Sequence, residues 1–566
     1  MSFKLYPDFP ERKMVELDGC WEFSFLGNQQ SIAEVDLRKI VYRDFLPVPS
    51  AFDAYPAYAG LRGIAACRTS FELSPGTTGE LEFFAAGPFC TVFVDGQKLG
   101  SHHPGFTRFT MLVPPASHAQ RELTVLVDNR FDRCQSPLVD RAFDFYNYGG
   151  ITRSVRLWQL PSQAVQWCRI TPLDCAGTLE IELQMYEKSD AELTIELSFD
   201  QKPPEAMLVK LKAGRGKITL KLSHPKLWSP ASPHLHIASL RTAHDRLEVR
   251  FGVRKVEAKD GKILLNGEPV KLLGVCRHEA HPQFGPALPF QQIVQDLQLL
   301  RDLGCNFVRG SHYPQDPRFL ELCDEMGILV FEENLGWGQN QDYLTDPEFI
   351  RLQLESTREM IDASYNHPCV IIRGFLNEAD SSVEAARPCY QALVDLIRRE
   401  DPGRCVAYAS NRYQLDRFLT MVDIVCFNLY PGWYGSMEND DPLSEILPRI
   451  QAELAWLAAQ PELKGKPFVI SEIGAGAVYG WHDALNGFWT EEYQSDFLRI
   501  ACNEVISNPA IAGVALWQFC DCRTYQGCRA LGRPRAFNNK GLLDEYRRPK
   551  LAYNTVKTIF GGYKHK

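Results

Sequence analysis

No apolar run in this 566-residue chain approaches the roughly 18 residues that a membrane-spanning helix needs, and the N-terminus, Met1-Ser2-Phe3-Lys4-Leu5-Tyr6-Pro7-Asp8, has no apolar stretch of signal-peptide length. A cytoplasmic protein with no membrane partner is the expectation. Blocks of lysine and arginine are also missing and the formal net charge is -9, which argues against nucleic acid or an acidic lipid surface as a partner. Disulfide-type spacing is absent too: the 17 cysteines are scattered, many inside apolar runs such as those around Cys305 and Cys426, in the manner of reduced, buried thiols. Cys520, Cys522 and Cys528 cluster, but no second cysteine pair and no histidine pair at ligand spacing accompanies them, so no metal site is expected.

What is present is a globular balance, 45% hydrophobic and 23% charged, on a chain too long for one hydrophobic core, so two or more domains are expected. From about Val15 to Leu160 the chain runs in short alternating segments, including Glu80-Leu81-Glu82-Phe83-Phe84 and Thr91-Val92-Phe93-Val94, with Asp95-Gly96 as a hairpin turn. This predicts a jelly-roll β-sandwich over residues 1–160. The alternation continues in Leu179 to Leu183 and Glu192 to Leu197, which fits an immunoglobulin-like β-sandwich over 161–255.

After about Val256 the rhythm changes to strands followed by amphipathic helices. Strand Val270 to Val275 with helix Phe290 to Leu303 opens the series, strand Asn306 to Arg309 with helix Pro317 to Met326 follows, and strand Gly513 to Trp517 with helix Leu551 to Phe560 closes it. Eight such units across 256–566 predict a TIM (β/α)8 barrel, whose chemistry sits at the C-terminal ends of its strands. Polar or aromatic residues stand at most of those ends: Arg277-His278-Glu279, Arg309 with His312, Glu332-Glu333, Asn377-Glu378, Asn428 with Tyr430, Glu472, and Trp517. Glu378 after the fourth strand and Glu472 after the seventh would face each other across the mouth. A retaining glycosidase needs two carboxyl groups roughly 5 to 5.5 Å apart, one a nucleophile and one an acid and then a base. Taken singly, either glutamate is equally a helix cap or a rim partner for arginine.

Several stretches resemble glycoside hydrolase family 2. Phe251-Gly252-Val253-Arg254, Leu265-Asn266-Gly267-Glu268-Pro269-Val270, Gly274-Val275-Cys276-Arg277-His278-Glu279 and Asn306-Phe307-Val308-Arg309-Gly310-Ser311-His312-Tyr313-Pro314 look like that family's barrel, and Leu17-Asp18-Gly19-Cys20-Trp21 and Leu227-Trp228-Ser229-Pro230 look like its two preceding domains. The resemblance implies a glycosidase that needs no cofactor, with Glu378 as acid/base and Glu472, in Ser471-Glu472-Ile473-Gly474, as nucleophile. It also implies that Asn377 binds the sugar 2-hydroxyl and that Arg309 and His312 line the subsite, with Trp517 at the end of the last strand.

Phe537-Asn538-Asn539-Lys540-Gly541 resembles the Asn-X-Lys motif of the family's β-glucuronidase branch, which implies that Asn538 and Lys540 hold a C6 carboxylate. The physics agrees, because a lysine cation with an amide donor compensates a desolvated carboxylate, whereas a neutral C6 hydroxyl would leave that lysine unpaired; Asn-Asn-Lys-Gly is also an ordinary turn. Asp144, in Phe143-Asp144-Phe145-Tyr146-Asn147-Tyr148, and Tyr434, in Asn428-Leu429-Tyr430-Pro431-Gly432-Trp433-Tyr434, match residues of that branch that reach the sugar. The sequence departs from it at Glu332-Glu333-Asn334-Leu335-Gly336-Trp337-Gly338, at Trp517-Gln518 where Trp-Asn is usual, and in the extra arginines Arg529, Arg533 and Arg535. A terminal β-hexuronide, glucuronide first, is the expected substrate. A β-galacturonide, a β-galactoside, and a non-catalytic carbohydrate-binding role are the alternatives. The family likeness also implies a homo-oligomer.

Overall fold

The computed structural model describes residues 3–131, 144–436, 438–525 and 532–563. Cys528 and Arg529 lie outside the described residues. All the described cysteines except Cys20 and Cys175 are buried.

The chain opens as two antiparallel β-sandwiches. In the first, a six-stranded sheet (Asp44–Val48, Gly19–Gly27, Ile64–Glu72, Gln120–Asp128, Phe89–Val94 and Gln97–His102) shares one core with a four-stranded sheet (Met14–Glu16, Val155–Gln159, Gly79–Phe83 and Phe109–Val113). Alternation makes that core: Leu123 and Val125 point inward with Phe83 and Trp21, each such side chain contributing about 1.5–3 kcal/mol on burial. Asp95 and Gly96, at φ 50° and 75°, close the hairpin between paired Val94 and Gln97, the geometry their sequence demands. The second sandwich packs three strands (Val165–Pro172, Thr178–Met185, Arg215–Lys221) against four (Glu205–Leu211, Ala191–Phe199, His236–Arg241, Arg246–Phe251) around Ile181, Ile195 and Val249.

The remainder is a parallel barrel. Its strands are Leu272–Arg277, Phe307–Gly310, Leu329–Glu333, Val370–Gly374, a fifth in two pieces (Cys405–Ala407 and Ala409–Ser410), Val425–Asn428, Phe468–Ile473 and Gly513–Leu516. The sheet order starts at one piece of the fifth strand and ends at the other, so the sheet closes on itself through the break at Tyr408. The strands are buried on both faces, as helix-covered parallel strands must be. One expected boundary is corrected. Glu268–Val270 belongs to a small antiparallel sheet with Lys262–Leu265 and Val256–Lys259, and the first barrel strand begins only at Leu272. Pro269 cannot donate into a ladder, which suits an edge strand and not a barrel interior. Among the described residues no helix is long and apolar enough to cross a membrane.

The first sandwich is clamped over the barrel mouth by Arg153. Its guanidinium donates to Glu279 Oε2 (2.8 Å), to the carbonyl of Pro314 (2.7 Å) and to the carbonyl of Phe106 (2.9 Å). Phe145 packs on His278 at 5.0 Å between ring centres, which delivers the neighbouring Asp144 to the barrel's open face.

Candidate active site

The mouth is organised by Arg309, at the end of the second strand and fully buried. Its fork donates to Glu333 of the third strand through Nε (2.6 Å) and Nη2 (3.0 Å); Nη1 reaches Glu472 Oε1 (2.8 Å) and Nη2 reaches Asn377 Oδ1 (2.7 Å). A buried guanidinium is tolerable only with such compensation. Burial by itself raises the Glu333 carboxyl, but Arg309 and His312 outweigh it and hold that acid below its usual range. Burial draws His312 down to about 4, so this imidazole is neutral at pH 7; it stacks on Trp517 at 5.2 Å.

Glu378 and Glu472 line one open cavity of about 950 Å³. Glu472 is 4% exposed and accepts from Tyr430 OH (2.5 Å) as well as from Arg309. Burial is the main influence on it, Arg309 opposes, repulsion from Glu378 adds, and the carboxyl is pushed up to about 8. Glu378 has φ 52°, in the left-handed region that non-glycine residues avoid, and its N–H bonds the Ala409 carbonyl (2.9 Å). Asn428 Nδ2 donates to Glu378 Oε1 (2.9 Å) and to Asn377 Oδ1 (3.1 Å), while Ser471 Oγ fixes the other end of that amide (2.7 Å). With its oxygen taken twice, Asn377 is left with a buried Nδ2 that has no hydrogen-bond partner among the described residues.

The other end of the cavity is built from three distant parts of the chain. Arg533 donates to Asp144 through Nε (2.6 Å) and Nη2, and Nη2 also reaches Tyr434 OH (2.8 Å). Lys540, 1% exposed, places Nζ 2.7 Å from the same hydroxyl. Asn538 turns its amide nitrogen to Asp144 Oδ2 (2.8 Å) and its oxygen to the Lys540 N–H (3.3 Å). Gln518 buttresses this stretch from below, its N–H on the Lys540 carbonyl (2.9 Å) and its carbonyl on the Leu542 N–H (2.9 Å). Of the extra arginines, Arg535 turns away to pair with Glu545 (2.8 Å), whereas Arg533 faces the cavity.

All ten residues singled out in the sequence thus gather around one mouth. The sequence marks Glu333, Asn428 and Tyr430 only as polar strand-end residues and Arg533 only as an extra arginine, with no role assigned to any of them. Asn428 and Tyr430 stood at a strand end, which was the available signal; the role of Arg533 rests on Asp144, 389 residues away. Among the described residues one buried group has metal-ligand spacing, Asp324, His367 and Cys369, and there Asp324 is already engaged by His367 Nδ1 (2.6 Å) and the Cys369 N–H (2.9 Å).

A (β/α)8 barrel preceded by two β-sandwiches, with two glutamates lining one open cavity at its strand ends, defines a glycosidase. The chain belongs to glycosyl hydrolases family 2: residues 256–564 match that family's TIM barrel domain. Among its relatives, the β-glucuronidase of Streptococcus agalactiae is 29% identical over 82% of each chain, and that of Canis lupus familiaris is 27% identical over 97% of this chain and 91% of the other. Among solved structures, the family 2 β-galacturonidase from Eisenbergiella tayi bound to galacturonate superposes with TM-score 0.90 at 34% identity, covering 100% of this chain and 99% of that one. The Bifidobacterium dentium β-glucuronidase complexed with coumarin-3-O-glucuronide gives 0.89 at 26%, with 100% and 99% covered.

Proposed function

We propose that this family 2 enzyme hydrolyses terminal β-D-hexuronides by double displacement, with retention at the anomeric carbon. Glu472 attacks C1 while Glu378 protonates the departing oxygen; Glu378 then draws a proton from water, which displaces Glu472 from the glycosyl-enzyme. Arg309 and Tyr430 favour the ionised form of Glu472 through their hydrogen bonds, opposing burial and the neighbouring Glu378, which together push its carboxyl up to about 8. Asn377 Nδ2, without a partner among the described residues, supplies a donor for the sugar 2-hydroxyl, where bonds tighten as charge develops.

One observation carries the uronide assignment. Tyr434 OH receives both the Lys540 ammonium and the Arg533 guanidinium, and its ring lies 5.1 Å from that of Tyr430, which holds the nucleophile. Two cations therefore converge on Tyr434, in the cavity that Glu472 also lines, where an acidic C6 group would lie. β-Glucuronide is the first substrate of this reading. A β-galacturonide is the second, favoured by Arg533, which locks Asp144 on the same side of the sugar, and by the likeness to the E. tayi enzyme. Turnover of aryl β-glucuronide, β-galacturonide and β-galactoside by wild type and Lys540→Ala tests both. The uronide loss should exceed the galactoside loss by about 100-fold or more, the scale of a buried charged hydrogen bond. Equal loss on all three substrates would remove the uronide assignment.

A further inference from the structure

The same cavity extends beyond the sugar pocket, and its lining there is mixed, with Pro448 beside Asn411, Tyr413, Glu445 and Arg449. If Glu378 protonates the departing oxygen, the leaving group lies on the Glu378 side, which is walled by Asn411 and Tyr413 after the fifth strand and by Glu445 and Arg449 at and within the helix after the sixth. Tyr413 is pinned: its hydroxyl donates to the Asn428 carbonyl (2.7 Å), on the residue that holds Glu378, and the Arg449 guanidinium lies 4.4 Å from its ring centre. Arg449 is anchored in turn by Glu453, one turn along, at 2.9 Å. Asn411 Oδ1 is buried with no hydrogen-bond partner among the described residues. An orphaned acceptor is unfavourable unless something donates to it.

We propose that this outer half is a subsite for a glycosyl leaving group, so that the enzyme releases its uronic acid from an oligosaccharide and not from an apolar aglycone. The inference rests on the β-hexuronide reading above. A pyranose offers what these walls can use: a hydroxyl donor for Asn411 Oδ1, acceptor oxygens for Arg449, and axial C–H groups for the tyrosine edge and face, while Glu445 is already held by Ser436 (2.7 Å), Asn439 (2.5 Å) and the Gly432 N–H (3.2 Å). A hydrocarbon ring in the same place would leave Asn411 unsatisfied and strip water from Arg449 and Glu445 without replacing it. Asn411 and Arg449 are thereby assigned as specificity residues for the leaving group.

The test compares a uronyl-β-hexose disaccharide with cyclohexyl β-uronide, which has a six-membered ring without hydroxyls. The kcat/KM ratio of the two is measured in wild type, in Asn411→Leu, and in the double variant Arg449→Met with Glu453→Gln, which avoids stranding a buried acid. Comparing ratios between proteins cancels the intrinsic difference between the leaving groups. The ratio should fall about tenfold or more toward the cyclohexyl substrate in each variant, as expected for loss of a site's hydrogen bonds to a hydroxyl. An unchanged ratio in both variants, with aryl uronide still turned over by wild type, would overturn this assignment alone. Failure of wild type to turn over any uronide would overturn the β-hexuronide reading and this assignment with it.

Discussion

Arg309 Nη1 lies 2.8 Å from Glu472 Oε1, joining the end of the second barrel strand to the end of the seventh across the mouth. The same guanidinium holds Glu333 and Asn377, so one buried cation sets the position of the proposed nucleophile and of the residue beside the proposed acid. Replacing it with methionine strands Glu333 and Glu472 in the interior. Loss of one partner from a buried charged network costs about 3–5 kcal/mol. Arg309→Met should therefore lower the midpoint of thermal unfolding, and since Arg309 opposes the rise in the Glu472 pKa, that pKa should climb further.

The pH profile follows from the carboxyl pair. The Glu472 carboxyl is pushed up to about 8 and only its ionised form can attack C1, so nucleophilic attack by the free enzyme should strengthen as pH rises toward that value. Repulsion from Glu378 contributes to the raised value, so Glu378→Gln should shift the Glu472 titration downward. The check is the pH dependence of covalent inactivation by an activated uronyl fluoride, which needs no acid catalyst. An unshifted profile in Glu378→Gln would contradict the coupling.

Arg153 provides a separate handle. It contacts no part of the cavity lining, yet it ties the sandwich that carries Asp144 to Glu279 and Pro314 of the barrel. Arg153→Met should loosen the delivery of Asp144 and raise KM for an aryl uronide by about tenfold, roughly the value of one charged hydrogen bond, with a smaller change in kcat. Arg153→Lys should recover part of the loss. A defect in kcat alone would argue against a positioning role.

Asp144 and Arg533 form the pair on which epimer choice should turn. Asp144→Asn keeps the shape but removes the charge that Arg533 and Asn538 share. The glucuronide to galacturonide ratio of kcat/KM should change by about tenfold or more, because a site built to bond one hydroxyl discriminates strongly. A ratio held constant while both activities fall would assign the pair to general binding.

Local chemistry was legible in the sequence, and convergence was not. The helix expected over Pro317 to Met326 has those limits because Asp316 caps its first turn, Pro317 occupies its first position, and Gly327 ends it at φ 72°. The hairpin at Asp95-Gly96 and the order of barrel strands were readable for similar reasons. The break at Tyr408 and the left-handed Glu378 were not, since tertiary contacts impose them against local preference. Nor does a motif say where its atoms point: the Asn538 amide nitrogen donates one bond to Asp144 Oδ2. That contact joins residues 394 positions apart, beyond any periodicity or spacing argument.

Incubation with a 2-deoxy-2-fluoro-β-hexuronyl fluoride, followed by peptide mass analysis, tests the mechanism and the sugar class together. A single adduct of the fluorouronyl mass on the peptide containing Glu472, formed in wild type and lost in Glu472→Ala, is the expected result. An adduct on another residue, or ordinary uronide turnover by Glu472→Ala, would contradict it.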